Sequence, residues 1–136
     1  MDVVALIARI AFAAIFIGAG IGHLTATDAM AGYAAAKKIP MARLAVQVSG
    51  AYILVASALL VLGIWPDFGA VALVPFLLTT AFVFHDFWTQ ESAEARQMEQ
   101  QQFLKDLALA GGALGFFVLY ASDAHPGLNL VGPLFA

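Results

Sequence analysis

The chain has 136 residues, of which 62% are hydrophobic and 11% are charged. Soluble domains carry about 25% charged residues, so this composition excludes an ordinary soluble domain and predicts an integral membrane protein. A net charge of −3 without a basic cluster argues against a nucleic-acid partner, and the absence of cysteine removes disulfides, thiolate metal ligands and dithiol relays from consideration.

Four long apolar segments follow one another along the chain. They predict helices at about 3–24, 42–64, 68–87 and 103–121. Each is close to the roughly 20 residues that cross a 30 Å hydrocarbon core. Backbone polar groups in lipid must bond within their own segment, so the predicted fold class is all-α, a four-transmembrane-helix bundle in one integral membrane domain, 1–136. The first segment lacks a basic n-region and a cleavage site, which predicts a retained helix rather than a signal peptide.

The connecting segments differ in character. Residues 25–41 are predicted to form a short surface helix that is stopped by Pro40. The sequence 65–67, Trp-Pro-Asp, indicates a tight turn, so the second and third helices should be antiparallel neighbours. The polar segment 89–102 fits either a solvated helix or a loop, and the segment from Asp123 onward is expected along the membrane surface.

Basic residues are distributed unevenly between the two sides of the predicted bundle. The loops after the first and third helices, with the helix starts that follow them, contain Lys37, Lys38, Arg43, Arg96 and Lys105. The other side has only Arg9, which is expected to snorkel or to pair with Asp123. The positive-inside rule therefore predicts cytoplasmic loops and external termini.

Glycines with a four-residue spacing occur in two of the predicted helices. Gly18 and Gly22 lie in the first helix, and Gly111 and Gly115 lie in the fourth. Small residues at this spacing let two backbones approach closely, so we expect close helix packing at these positions.

Polar side chains are predicted to meet at one end of the bundle, because the first and third helices end on the side where the second and fourth begin. The expected cofactor-binding residues are His23, Gln47, Tyr52, His85, Asp86, Trp88, Lys105 and Asp106. Charges inside a membrane are costly unless they are paired or hydrated, so a site that faces the bundle is the default hypothesis. Of the neighbours His85 and Asp86, one should face the bundle and the other its flank.

Each of these residues also has a purely structural interpretation. Trp88 fits the aromatic belt at a membrane interface, and Lys105 can snorkel while Asp106 interacts with a helix N-terminus. His85 can simply satisfy a hydrogen bond, and His23 can cap its helix. A metal site can be drawn from His23, His85 and Asp86, but no regular ligand spacing occurs, so no metal is expected.

Short motifs in all four helices resemble those of one membrane family. The motifs are Ala8-Arg9-Ile10, Phe16-Ile17 and Gly20, then Ser49-Gly50 and Leu62-Gly63, then Thr80-Ala81-Phe82 with His85 and Trp88, and finally Phe103-Leu104-Lys105-Asp106-Leu107-Ala108-Leu109 with Gly111-Gly112. Together they are similar to the DoxX family. This resemblance implies a multi-pass protein of the bacterial or archaeal inner membrane. Some relatives are the membrane subunit of a thiosulfate:quinone oxidoreductase, and others join an oxidoreductase complex linked to oxidative and thiol stress.

The resemblance also implicates particular positions. Carried over residue by residue, the implicated set is Arg9, His85, Trp88, Lys105 and Asp106. Two positions depart from the family pattern. Asp106 stands where asparagine is common, and Tyr52-Ile53 stands near a position where a glutamate is common. Loss of that glutamate removes a buried carboxylate on which proton-coupled chemistry in relatives would depend.

Two hypotheses of function follow. The first is a membrane subunit that interacts with quinone or lipid and supports a membrane oxidoreductase complex, with His85 backed by Asp86 as a proton relay. Electrons would come from a partner protein. The alternative is a non-catalytic membrane anchor or assembly protein for a partner complex, and a transporter is a third, weaker hypothesis because four helices enclose only a small pore. The expected partners are the lipid bilayer and either another subunit or a second copy of the chain.

Overall fold

The computed structural model describes residues 1–135, and this part of the chain contains five α-helices. They are α1 (Asp2–Thr25), α2 (Thr27–Ala36), α3 (Ala42–Leu62), α4 (Pro66–Thr79) and α5 (Ala93–Tyr120). A π-helical turn, Thr80–Phe84, continues α4, and a short 3-10 turn, Phe87–Thr89, precedes α5. Helices α1, α3 and α5, and α4 with its continuation, are long and apolar enough to cross a membrane. The predicted four-transmembrane-helix bundle is therefore confirmed.

Two connecting segments are more helical than the hydropathy pattern required. Helix α5 begins about ten residues before the predicted apolar segment, so most of the polar segment 89–102 is a solvated helix. Ser92 caps this helix, because its side chain accepts a hydrogen bond from the Ala95 amide at 3.1 Å. The predicted surface helix is α2, which ends at Ala36 before Lys38 takes a left-handed conformation.

The helices pack in chain order around an apolar centre. Helix α3 contacts α1, α2 and α4, and α5 contacts α4. The buried cluster comprises Phe16, Ile53, Ala56, Leu73, Leu77 and Ala110. Large apolar side chains such as Val55 and Val118 point outward, as expected for helices that contact lipid. Because α3 and α4 are joined by the predicted tight turn and pack together, their antiparallel arrangement is confirmed.

The close helix crossing lies at glycines other than the predicted pairs. A Cβ atom added to Gly18, Gly111 or Gly115 would meet no atom within 4 Å, so the prediction of close packing at these three positions is wrong; at Gly22 it would be in ordinary contact with the Met30 side chain, at 3.7 Å. The first three glycines face outward instead. Helices α1 and α3 approach most closely at Gly20 and Gly50, where a Cβ atom on either glycine would lie 3.0 to 3.2 Å from the carbonyl oxygen of the other. This contact sets the end of α1 directly against the start of α3.

Arg9 is fully buried, with 0% of its surface exposed, near the end of the bundle that carries the N-terminus. Its Nη1 donates to Asn129 Oδ1 and its Nη2 to the Leu128 carbonyl oxygen, both at 2.7 Å. The guanidinium also lies 5.6 Å from the ring centroid of Tyr120. The prediction that Arg9 snorkels or pairs with Asp123 is wrong, because the C-terminal segment covers the side chain and accepts its hydrogen bonds.

Asp67 provides a second attachment for the C-terminal segment. Its carboxylate is fully buried in the first turn of α4 and accepts the Phe68 amide at 2.9 Å. It also accepts the amides of Leu134 at 2.8 Å and Phe135 at 2.6 Å. The segment after α5 is thus held against the α3–α4 turn at the end of the bundle, a contact that no sequence pattern predicted.

Candidate functional site at the histidine end of the bundle

Half of the polar residues that the sequence placed at one membrane face line cavities there: His23, His85, Lys105 and Asp106. Helices α1 and α4 finish, and α3 and α5 begin, at the end of the bundle that contains His23 and His85, which we call the histidine end. His23 contacts the first turns of α3, and His85 contacts α5. The geometry follows from the alternating direction of the helices.

His85 lies between two carboxylates of α5. Its Nδ1 is 2.8 Å from Glu99 Oε2, and its Nε2 is 3.7 Å from Asp106 Oδ2. Lys105 Nζ is 3.4 Å from the other oxygen of Asp106. Asp106 is only 4% exposed, and its Oδ2 has no hydrogen-bond partner among residues 1–135. A buried carboxylate oxygen is therefore left to a neighbouring imidazole or to a small hydrogen-bond donor.

A π-helical turn sets the orientation of His85. The backbone amide of His85 bonds to the Thr80 carbonyl oxygen at 3.1 Å, five residues earlier, instead of four as in an α-helix. Such a turn inserts an extra residue and rotates everything after it, and π-helical turns occur frequently at functional sites. It brings the imidazole toward α5.

Asp86 points to the opposite flank. It forms an ion pair with Lys37, in the loop after α2, and accepts a hydrogen bond from Thr89 Oγ1 at 3.0 Å. The expected dyad of His85 and Asp86 is therefore absent, because the histidine pairs with Glu99 instead. Asp86 ties the segment after α2 to the end of α4.

His23 is fixed to α3 through one ring nitrogen. Its Nδ1 lies 2.9 Å from Ser49 Oγ and 3.2 Å from the Val46 carbonyl oxygen. A carbonyl oxygen can only accept, so this contact assigns the hydrogen to Nδ1. The lone pair of the neutral ring is then on Nε2, which remains for a ligand.

A cavity of about 380 Å³, which we call the histidine cavity, opens between α1, α2, α3 and α4. Its walls are mainly apolar and aromatic. The polar residues in the lining are His23, Tyr33, Ser49, Thr79, Thr80 and His85. Small-molecule sites commonly combine a volume of this order with apolar walls and a few placed polar groups.

Helix α2 supplies one wall of the histidine cavity through Tyr33. The hydroxyl of Tyr33 donates to the Phe84 carbonyl oxygen at 3.0 Å and so closes α2 onto the π turn. Partial burial, reinforced by the negative charge of Glu99, raises the pKa of Tyr33 above its usual 10.0. The hydroxyl therefore keeps its hydrogen at physiological pH.

A smaller cavity of about 150 Å³ lies on the other side of His85. Its polar lining consists of Thr80, His85, Lys105 and Asp106. It shares Phe76, Thr80 and His85 with the histidine cavity. His85 thus forms part of the wall between a mainly apolar space and a buried carboxylate.

The DoxX family model matches residues 4–86, more than half of the chain. The chain belongs to the DoxX family. The match runs from α1 to the end of α4, so the glycine- and leucine-rich motif of α5 lies outside it. No curated protein and no solved structure gives a significant match. With four helices able to cross a membrane, this DoxX protein is a multi-pass membrane protein whose helices contact lipid.

Four of the expected site residues, Asp86 among them, lie away from both cavities. Trp88 is half exposed and packs with Phe103, with ring centroids 5.9 Å apart, in a surface cluster of aromatic rings. Gln47 is exposed, and the Tyr52 hydroxyl donates to the Ala72 carbonyl oxygen between α3 and α4. Only His23, His85, Lys105 and Asp106 of the expected set line a cavity of this DoxX protein.

Sequence reasoning missed two residues that shape the site. Glu99 was assigned only to a polar connection, although it stands seven residues before Asp106 and so shares a helix face with it. Tyr33 lies in the predicted surface helix within residues 25–41, where its sequence context does not mark it as a site residue. Its role depends on how α2 folds against α4, for which the sequence of this DoxX protein gives no local signal.

Proposed function

We propose that this DoxX protein binds the head group of a membrane quinone in the histidine cavity and serves as the membrane subunit of an oxidoreductase complex in a bacterial or archaeal inner membrane. The main support is the histidine cavity itself. It combines apolar walls, two imidazoles and a volume of about 380 Å³ at the end of membrane-crossing helices. A ligand with a polar ring and a long apolar tail suits such a position, because the tail can remain in lipid.

The lining residues have distinct roles in this proposal. Phe76 and Phe84 offer aromatic surfaces against which a flat ring can pack. His23 is held rigidly by α3, so its free Nε2 can hydrogen-bond a substituent of the ring. A bound quinone supplies redox chemistry, and its electrons would come from a partner subunit.

His85 connects the histidine cavity to the aqueous side of the membrane. It bonds to Glu99, which is partly exposed on the solvated start of α5, and faces the buried Asp106. An imidazole can both accept and donate a proton, and His85 has a carboxylate on each side with which to exchange one. This arrangement supports a role for His85 in the exchange of protons between the aqueous side and the site.

Filling the cavity tests the proposal. Ala45 lines the histidine cavity, whereas Ala51 lies on the exposed surface of the same helix. We expect Ala45→Phe to weaken binding of a short-tailed quinone by at least about tenfold, because the added ring occupies the space that the head group needs. Binding is measured by equilibrium titration of the purified protein in detergent micelles.

The matched control is Ala51→Phe, which adds the same ring on the lipid-facing side. It should bind the quinone like the unmodified protein. If the Ala45→Phe and Ala51→Phe proteins bound the quinone with equal affinity, the quinone would bind outside the histidine cavity and the proposal would be wrong. Recovery of a tightly bound phospholipid instead of quinone would assign the cavity to lipid.

The solvated start of α5 favours a second candidate, a membrane anchor or assembly protein. Residues 93–98 are almost all exposed and extend the helix beyond its apolar part, so they offer a surface to a partner protein. Purification from native membranes discriminates the two candidates. A stoichiometric partner without quinone or lipid would favour the anchor, and a bound quinone would favour the first proposal.

A further inference from the structure

We propose that the histidine cavity selects head groups that donate hydrogen bonds, and that it therefore binds the hydroquinone form of its ligand more tightly than the quinone form. This inference rests on the proposed function and specifies the chemical class of the ligand. It comes from the hydrogen positions that the contacts of the lining residues assign.

Three of the hydroxyl groups in the lining donate their hydrogens to backbone carbonyl oxygens. The donor–acceptor pairs are Ser49 Oγ to Val46 O, Thr80 Oγ1 to Phe76 O and Tyr33 Oη to Phe84 O, each at 3.0 Å. A hydroxyl group has a single hydrogen, so while these bonds are kept each oxygen offers a ligand its lone pairs. They are hydrogen-bond acceptors in the cavity.

His23 adds a fourth acceptor. The hydrogen on Nδ1 is used by the Val46 carbonyl oxygen and by Ser49 Oγ, which itself donates to Val46. In the neutral imidazole only one nitrogen carries a hydrogen, so Nε2 accepts. The contacts on α3 fix this tautomer.

Few donors remain. Both ring nitrogens of His85 face carboxylates, Glu99 on one side and Asp106 on the other, so a hydrogen on either nitrogen is directed away from a ligand. Among the described residues of the lining, the Thr79 hydroxyl forms no hydrogen bond as a donor, so its hydrogen is available to a ligand. The cavity therefore presents mostly lone pairs.

The two redox forms of a quinone respond differently to such a lining. The carbonyl oxygens of the oxidised form only accept, so they would face the lone pairs of His23 and Ser49 without a hydrogen between them. The hydroxyls of the reduced form donate and satisfy these acceptors. Leaving a desolvated polar group without its hydrogen bond weakens binding by about tenfold or more, which sets the expected preference.

Three probes with the same ring and alkyl tail test the inference. They are a hydroquinone, the corresponding quinone and the dimethyl ether of the hydroquinone, titrated without oxygen in mildly alkaline buffer, in which imidazole is neutral. We expect the hydroquinone to bind about tenfold more tightly than either of the others. The ether cannot donate and is not redox-active, so it separates hydrogen bonding from redox state.

Variants at His23 identify the acceptor. His23→Phe keeps an aromatic ring but removes Nε2, so hydroquinone affinity should fall about tenfold while quinone affinity stays within about twofold. His23→Gln offers both a donor and an acceptor, so the affinities for the hydroquinone and the quinone should become similar. Val48→Ala, on the exposed face of α3, should leave all three affinities unchanged.

The outcomes separate this inference from the proposed function. If the three probes bound the unmodified protein with equal affinity, the inferred selectivity would be wrong but the proposed quinone site would still be supported. Tighter binding of the quinone would also overturn it. Failure of all three probes to bind would remove both the selectivity and the proposed function.

Discussion

Replacing Arg9 with leucine should lower the free energy of unfolding by about 3 kcal/mol, because two partly buried acceptors lose a charged donor. Arg9 joins α1 to both Leu128 and Asn129, and it also packs on the Tyr120 ring. Without it, these groups would be desolvated and unpaired. We therefore expect the stretch around Leu128 to lose its contact with α1, while Asp67 still holds Leu134 and Phe135.

Two measurements check this expectation for Arg9. Unfolding in mixed detergent micelles gives the free energy, and limited proteolysis reports whether residues 127–135 become accessible. Arg43→Leu is the matched control, since Arg43 pairs with Asp28 on the exposed surface and should cost less than about 1 kcal/mol. The account would be contradicted if Arg9→Leu lowered the free energy of unfolding no more than Arg43→Leu does and the C-terminal segment stayed protected from proteolysis. Arg9 would then not hold the C-terminal segment in place.

Replacing His85 with alanine should also lower the free energy of unfolding, by about 2 kcal/mol, because it removes the hydrogen bond to Glu99 and leaves the buried Asp106 carboxylate with Lys105 as its remaining neighbour. His85 Nε2 lies 3.7 Å from Asp106 Oδ2, close enough for an electrostatic interaction with a carboxylate that is only 4% exposed. The bond between His85 Nδ1 and Glu99 would be lost as well.

A double-mutant cycle isolates the contribution of the His85–Asp106 pair. In an Asp106→Asn background the buried charge is gone, so His85→Ala should cost at least about 1 kcal/mol less than in the unmodified protein. His125→Ala serves as the control for loss of an imidazole, because His125 lies in the C-terminal segment, where its Nδ1 is 3.2 Å from the Pro126 carbonyl oxygen. Equal costs of His85→Ala in both backgrounds would mean that His85 and Asp106 do not interact.

The membrane architecture was predictable because it depends on local composition. Four apolar segments of suitable length leave few alternatives once backbone hydrogen bonds must be satisfied in lipid. The start of α5 at Ala93 was harder to predict, because its glutamates and glutamines fit a solvated helix as well as a loop. The cap formed by Ser92 decides between them.

The convergence of His23 and His85 was also predictable, since alternating helices bring their ends together. Which of His85 and Asp86 faces the bundle was not, because an α-helical wheel cannot anticipate the π turn that rotates both residues. The environment of Arg9 was unpredictable for another reason. Its partners Leu128 and Asn129 lie about 120 residues away and belong to no periodic pattern.

A density map of the protein purified from its native membrane tests the central claim most directly. The claim is that a lipophilic ligand places a polar ring in the histidine cavity. We predict ring-shaped density between Phe76 and Tyr33, within hydrogen-bond distance of His23 Nε2. A cavity closed by its own side chains, or ring density that instead lies against the Trp88 aromatic cluster, would contradict the account.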